Sequence, residues 1–203
     1  DSMTIWKDVP GVLNADPRYF DETILLNHIS YEEAIELAYY GASVIHPKTL
    51  QPLQQKEIPF FVKSFINPTK AGTEVAKGQP LEPNVPCFIL KREQHLIRLS
   101  SKDFSFITED KLSGIFNKLY DYQIKVNLMQ NSAISLSLCL EDKYDNLQKF
   151  VSDMNNAYKV HEENDVLLYT IRHFDDQSDK VISKEKELLR QTVRETLQIV
   201  VKS

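Results

Sequence analysis

The residues best placed to do chemistry lie in Ile5–Arg18, IWKDVPGVLNADPR. A short apolar run empties into a turn rich in Pro, Gly, Asn and Asp, with Lys7, Asp8, Asp16 and Arg18 distributed along it. A strand followed by a polar, tightly turned loop sets backbone and charged side chains against a nucleotide at the carboxyl edge of a sheet. Read alone, Asp-Pro is a generic turn starter. Arg18 then has a second reading as a surface partner of Asp16 or Asp21, and Asp8 as the cap of a turn.

These residues need a sheet behind them, and the sequence offers one. Met3–Trp6, Ile24–Ile29 and Phe60–Phe65 read as strands. Ser30–Gly41 reads as a helix: Ser30 and Glu33 have capping-box spacing, in which hydroxyl and carboxylate each take a free amide. Gly41 supplies the left-handed residue that closes it. Glu32 and Glu33 are both assigned to the helix start. Pro47 opens a second helix to Lys56, and Asn67–Gly72 reads as a turn. Lys48 and Lys63 read as solvated or paired surface charges.

Gln79–Pro86 (QPLEPNVP) holds three prolines in eight residues. It reads as an extended connector, because proline lacks an amide donor and restricts its predecessor. Beyond it Phe88–Lys91 and Leu96–Ser100 read as strands. Thr108 caps a helix through Leu112, Ile115, Phe116 and Leu119. Ile124–Gln130 and Ile134–Leu140 read as strands, the latter alternating Ile134, Leu136, Leu138 and Leu140 inward. A helix through Tyr144, Leu147, Val151 and Met154 and a strand at Ala157–Val160 complete a βαββαβ order. The remainder reads as strand Val166–Phe174, a helix near Lys184–Gln191, and strand Glu195–Lys202.

Composition narrows the function classes. The 203 residues carry a net charge of −5 and no basic stripe interleaved with aromatics, which argues against nucleic acid. Apolar runs fall far short of a bilayer span and no signal peptide opens the chain, so a cytoplasmic protein is expected. Cys87 and Cys139 stand apart from each other and from histidine at ligand spacing; they read as reduced, strand-buried thiols, and no metal site is expected.

The ordered set WKDVPGV, ADPR, SYEEAIELAYYGASVIHP and NPTKAGT, over roughly the first third of the chain, resembles the end of the kinase domain of aspartokinases. The later βαββαβ order is similar to the ACT regulatory units that follow that domain. The resemblance implies an α/β partial amino-acid-kinase domain over 1–78 and a linker over 79–87. Over 88–203 it implies an α+β ferredoxin-like ACT region. A first ACT unit of about 95–163 would be inserted in an abbreviated second one, 88–94 plus 164–203.

Aspartokinases pass the ATP γ-phosphoryl group, with Mg²⁺, to the side-chain carboxylate of L-aspartate on the route to lysine, threonine and methionine. Positioning and charge neutralisation carry such chemistry. Carried over by position, the implied nucleotide contacts are Lys7, Asp8, Leu13, Arg18, Ser43 and Val44, of which Asp8 and Arg18 fit best. Family members often have an aromatic at the place of Leu13 and lysine at that of Ser43. The implied effector contacts, for an end-product amino acid such as lysine or threonine bound between two copies, are Asp110, Lys111, Leu112, Val126, Asn127, Asn131 and Ser132. Read without the family, Asn127, Asn131 and Ser132 end a strand in a polar turn. The family's KFGGTS-type phosphate motif is not among these residues. The expectation is therefore a truncated piece without turnover, holding half a nucleotide pocket and no catalytic residue, and dimeric through the ACT region. A stand-alone ACT-type regulatory subunit is the alternative.

Overall fold

The computed structural model describes residues 2–42, 45–182 and 186–203, with the side chains of 47 and 179 excepted. The chain forms two compact units: residues 1–90, 169–184 and 192–197 make the first, and 91–168, 185–191 and 198–203 the second.

The first unit is a mixed α/β layer. Its sheet contains β1 (Met3–Lys7), β2 (His28–Ile29), β3 (Phe60–Ser64) and β4 (Thr73–Val75) in the order β1-β3-β4-β2. β1 runs parallel to β3, from Met3 opposite Phe60 to Lys7 opposite Ser64. Helix α1 (Tyr31–Tyr40) starts where the Ser30 hydroxyl accepts the Glu33 amide at 3.0 Å. It ends at Gly41, whose φ of 122° suits glycine. Helix α2 (Pro47–Gln55) follows, with the His46 ring accepting the Lys48 amide. Tyr31, Ala34 and Leu37 recur at helical spacing and are buried with Leu26, Ile29, Leu50, Phe60 and Val62.

Between β1 and β2 the chain makes a loop rather than the strand expected over Ile24–Ile29: Leu25 bridges Leu13 within that loop, and the strand itself is His28–Ile29, parallel to β4. Asn14 is the reason. Its side-chain oxygen takes the Ile24 amide at 2.7 Å and its amide reaches the Pro86 carbonyl at 2.9 Å. Those bonds fold Val12–Ile24 on itself.

The second unit is built on β6 (Lys125–Asn131), β7 (Ser135–Glu141) and the greater part of β5 (Cys87–Ser101), β8 (Tyr158–Arg172), β9 (Glu187–Val193) and β10 (Thr196–Lys202), whose residues 87–90, 169–172, 192–193 and 196–197 belong to the first. The sheet order is β6-β7-β5-β8-β10-β9. Helices α3 (Glu109–Asp121) and α4 (Leu147–Ala157) give it a β-α-β-β-α-β succession from β5 to β8. Leu136, Leu138 and Leu140 pack with Ile115, Leu119, Phe150 and Met154. The opposite face is covered too: Cys139 is buried with Leu128, Val166, Leu168, Leu189 and Val200.

Three sequence expectations are corrected. Phe88–Lys91 and Leu96–Ser100 lie in one strand, and the strands expected at Ala157–Val160 and Val166–Phe174 merge into one, Tyr158–Arg172, with Ala157 left as the last residue of α4. Each long strand carries one left-handed residue, Glu93 (φ 55°) and Asp165 (φ 53°), so the chain kinks where the sequence suggests a turn. The segment read as a helix near Lys184–Gln191 is strand β9 from Glu187 onward; Lys184 itself lies outside the described residues. Its helix-favouring Lys and Glu are overridden by pairing, with the Lys202 amide on the Lys186 carbonyl at 3.1 Å. Finally, Thr108 precedes α3 without capping it, because its hydroxyl donates to the Asp110 carboxylate. Among the described residues no helix is long and apolar enough to cross a membrane.

Candidate nucleotide site and effector residues

A cavity of about 480 Å³ opens at the carboxyl end of β1. Lys7, Asp8, Leu13 and Arg18 all line it, beside Gly11, Asn14 and Asp16. Across from them stand Leu37, Gly41 and Ala42 from the end of α1, and Phe88, Ile89 and Leu90 from the start of β5. Ser43 and Val44, the remaining nucleotide candidates, lie outside the described residues.

The loop's shape is set from beneath. Thr73, fully buried, accepts the Val12 amide at 2.8 Å and donates to the Leu26 carbonyl at 2.6 Å. Gly11 passes directly over it: a Cβ there would sit 2.5 Å from the Thr73 hydroxyl and 2.7 Å from Leu25. Only glycine allows that approach.

Arg18 faces the cavity but is not free of partners. Its guanidinium grips Asp16 through Nε at 3.1 Å and a terminal nitrogen at 2.6 Å, and lies 5.5 Å from the Tyr19 ring centre. The Arg18 hydrogen bond holds the Asp16 carboxyl below its usual range. The pair is fork-shaped, so Arg18 keeps donors for a second acceptor. Among the described residues no hydrogen bond or ion pair engages the side chains of Lys7 and Asp8. The cavity therefore offers two cations for phosphate oxygens and one uncommitted carboxylate, a hard oxygen donor of the kind Mg²⁺ takes. Its volume falls within the range of small-molecule sites, roughly 300–1,000 Å³.

The wall formed by Phe88–Leu90 has no local signal in the residues of the loop; the resemblance places these residues in the later region. The bridge between Ala15 and Phe88, the Phe88 amide on the Asn14 carbonyl at 2.7 Å, and the Phe20–Phe88 ring contact at 5.6 Å bring it there.

Glu33 was also misread. Its amide bonds Ser30, but its carboxylate does not complete a capping box. It takes Arg172 in two bonds, at 2.6 and 3.2 Å, and lies 3.0 Å from His173 Nε2, off hydrogen-bond geometry. Arg172 also donates to Thr196 at 2.7 Å and to Glu195 at 3.1 Å, and His173 Nδ1 is 3.3 Å from Glu195. Glu33, His173 and Glu195 present ligand atoms within 4.8 Å of one another. Arg172 already supplies positive charge to both carboxylates, so the donor set does not favour a metal cation.

The effector candidates fall into two groups along β6. Asp110, Lys111 and Leu112 form the first turn of α3, which the Ile107 amide ties to the Ala133 carbonyl at 2.8 Å, next to Asn131 and Ser132. Lys111 is turned onto the preceding loop, donating to Ser105 at 2.6 Å and the Phe106 carbonyl at 2.8 Å. Val126 and Asn127 stand at the other end of the strand. Lys125 and Val126 pair with Glu141 and Leu140, Leu128 with Cys139, so Asn127 is the extra residue of a bulge. Its side chain accepts from Lys91 at 2.8 Å and donates to Gln94 at 2.7 Å and Glu141 at 3.2 Å. Burial, with Lys125 nearby, pushes the Lys91 ammonium down to about 8.

Residues 1–64, which supply the strand and the loop at the cavity, match the family model described as the amino acid kinase family. Over 144 residues the chain is 32% identical to aspartokinase 2, chloroplastic, of Arabidopsis thaliana, which aligns 68% of this chain with 26% of that protein. It is 35% identical over 139 residues to the lysine-sensitive aspartokinase 3 of Escherichia coli, 68% of this chain against 31% of that one. Among solved structures, E. coli aspartokinase III in complex with aspartate and ADP gives a TM-score of 0.80 at 26% identity, covering 99% of this chain and 48% of that chain. The Clostridium acetobutylicum aspartate kinase gives 0.83 at 21% identity over 98% and 50%, a likeness of fold. The chain belongs to the aspartokinase family. It spans less than a third of the length of the curated relatives it matches.

Proposed function

We propose that the chain is part of an aspartokinase, which transfers the ATP γ-phosphoryl group to the side-chain carboxylate of L-aspartate. In this reading residues 1–78 are the C-terminal portion of the kinase domain and 79–87 a linker. Residues 88–203 are an ACT region in which one ferredoxin-like unit is inserted in an abbreviated second one. One observation carries the proposal: four positions named from the family motif, Lys7, Asp8, Leu13 and Arg18, line a single cavity. Lys7 and Arg18 suit the phosphates of ATP, and Asp8 suits the magnesium ion that would screen them. Magnesium, when bound, offsets charge between two anionic reactants; the chain's own part is to hold and orient the nucleotide. The buried free thiols Cys87 and Cys139 fit a reducing, cytoplasmic setting.

Calorimetric titration with magnesium ADP tests this. Saturable heat is expected, weakened about tenfold by Arg18→Ala, the worth of one hydrogen bond to a charged group. Absence of binding by the wild-type chain refutes the nucleotide reading. Aspartyl phosphate formation is not expected from this chain alone, since none of its 203 residues forms a KFGGTS-type phosphate-binding motif.

The second half of the proposal is end-product control. The α3 start offers first-turn amides, now faced by the Asp110 carboxylate, that an effector carboxylate could take over, and Asn127 an amide for an ammonium or a polar side chain. An ACT pair from two copies would supply both groups, with β6, the edge strand, near the join. Titration with lysine and threonine separately should give saturable heat from one, lost on Asn127→Ala. Silence from both leaves the region as a dimerisation element.

A further inference from the structure

The charged cluster at Glu33 sits at one end of the helix whose other end walls the cavity. Leu37, at the last turn of α1, and Gly41 and Ala42, which follow it, line that wall. Two turns earlier Glu33 is buried, its side chain 9% exposed, and Arg172 at 10% holds it with both ends of its fork. Arg172 is the last residue of β8, and Thr196, its third partner, is the first of β10. Both strands run on into the second unit of the chain. His173 follows with a left-handed φ of 54°, a turn that leaves its two ring nitrogens on Glu33 and Glu195.

The charges balance only in one protonation state. Glu33 and Glu195 supply two negatives, Arg172 and an imidazolium at His173 two positives. Loss of the imidazolium proton leaves the buried Glu33 with Arg172 as its one cation and leaves Arg172 shared with the half-exposed Glu195, so the hold on Glu33 loosens. The other titratable groups facing the cluster are Glu36 and Tyr40 from α1 and Cys87 from β5. Burial raises both the tyrosine and the thiol, the latter to about 12, so neither changes charge near neutrality.

We propose that Arg172 and His173 are positioning residues for the cavity: acting through Glu33, they clamp helix α1 and so fix the Leu37–Ala42 wall against which a nucleotide rests. The ligand in this proposal rests on the nucleotide reading above; the clamp does not. The Glu33 contact raises the His173 proton affinity above the ordinary histidine range against the opposing effect of burial. Because the folded-state value is raised, the clamp is whole below the ordinary histidine value of 6.5 and is lost as pH rises through the raised one.

Hydrogen exchange read by mass spectrometry across Leu37–Ala42, corrected for the intrinsic pH dependence of exchange, tests the clamp between pH 6 and 9. In the wild-type chain protection of this wall should fall roughly tenfold on raising the pH, as the His173 charge beside Glu33 and Glu195 is lost. His173→Asn, which keeps a residue tolerant of left-handed backbone, should show the wild-type chain's high-pH protection at every pH. Glu195→Gln, on the exposed side of the cluster, should lower protection at pH 6. Arg172→Lys keeps the charge but not the fork and should restore protection only in part. ADP affinity should track wall protection in each variant, while Arg18→Ala weakens ADP binding and leaves the wall's exchange unchanged. Wall exchange indifferent to both pH and His173→Asn overturns the clamp, whether or not ADP binds. Failure of the wild-type chain to bind ADP at any pH, with the wall still loosening, overturns the nucleotide reading and leaves the clamp standing.

Discussion

Replacing Thr73 by valine removes one oxygen and keeps the side-chain shape, which makes it a direct test of what holds the candidate nucleotide loop. The hydroxyl sits between the two arms of that loop, accepting from Val12 and donating to Leu26, and all three residues are buried. Valine leaves the Val12 amide and the Leu26 carbonyl without that partner. Each stranded buried group costs roughly 1–3 kcal/mol. The added methyl returns about 0.8 kcal/mol of burial. The net expectation is a loss of about 3 kcal/mol. Thr73→Ser is the counterpart: it keeps the hydroxyl and loses one methyl, at a cost of about 1 kcal/mol.

Trp6, the chain's one tryptophan, lies in β1 of the first unit, so its fluorescence during urea unfolding reports on this unit. The midpoint should fall further for valine than for serine, with unchanged slope. Valine should also weaken ADP binding, because Gly11 rides on the same hydroxyl. If valine proves no more destabilising than serine, the hydroxyl is not the support described and the loop takes its shape from elsewhere.

Three further outcomes follow from the same geometry. Gly72→Ala should cost roughly 2–4 kcal/mol in the same urea assay, since its φ is +75° and a Cβ would meet the Val62 carbonyl at 2.1 Å. Burial opposes ionisation of Glu33, but His173 and Arg172 together hold its carboxyl below the ordinary 4.5. Its stabilising share is therefore present above that value and lost as pH falls through the lower folded value; Glu33→Gln should be less stable at pH 7 by about 3 kcal/mol and lose that acid dependence. Burial raises both thiols to about 12, so Cys87 and Cys139 should resist a thiol-reactive disulfide reagent until urea unfolds the unit that holds each.

How much of this was legible in the residues depends on the range of the interaction. Ser30 and Gly41 bound α1 through contacts within four residues, and both positions are visible in the sequence. The strands are harder. Glu93 and Asp165 break the alternation of β5 and β8 without ending either, because a left-handed residue can kink a ladder that its neighbours keep paired. The segment from Glu187 onward, expected as helix, is strand β9, since tertiary pairing outranks helix propensity. Motif reading found Lys7, Asp8, Leu13 and Arg18 because they share one short loop. It could not find Phe88, seventy residues on, nor the Glu33–Arg172 bond, where the partners are 139 residues apart. Nothing local in SYEEA distinguishes a capping carboxylate from one committed to a distant arginine.

The placing of the effector candidates constrains how any ligand could use them. Asn127 and Asn131 are four residues apart on an extended strand, about 13 Å at 3.3 Å per residue. A free amino acid is too short to bridge them within one copy of the chain. The bulge adds a second constraint. By inserting Asn127 out of register with β7, it turns that amide onto Lys91, Gln94 and Glu141, so both of its N–H donors are committed and its oxygen already accepts from Lys91. A ligand donor at Asn127 therefore shares that oxygen with Lys91 or replaces it, and the bond from Lys91 is the most replaceable. That ammonium is half-buried beside another lysine, and its depressed proton affinity makes it the least costly to neutralise. A cationic effector would offer Asn127 the same kind of donor that Lys91 now gives it; an uncharged hydroxyl would offer a weaker one. If the two ends of β6 serve one ligand, they do so from two copies of the chain. The end carrying Asn127 is then the one where competition with Lys91 would separate one amino acid from another.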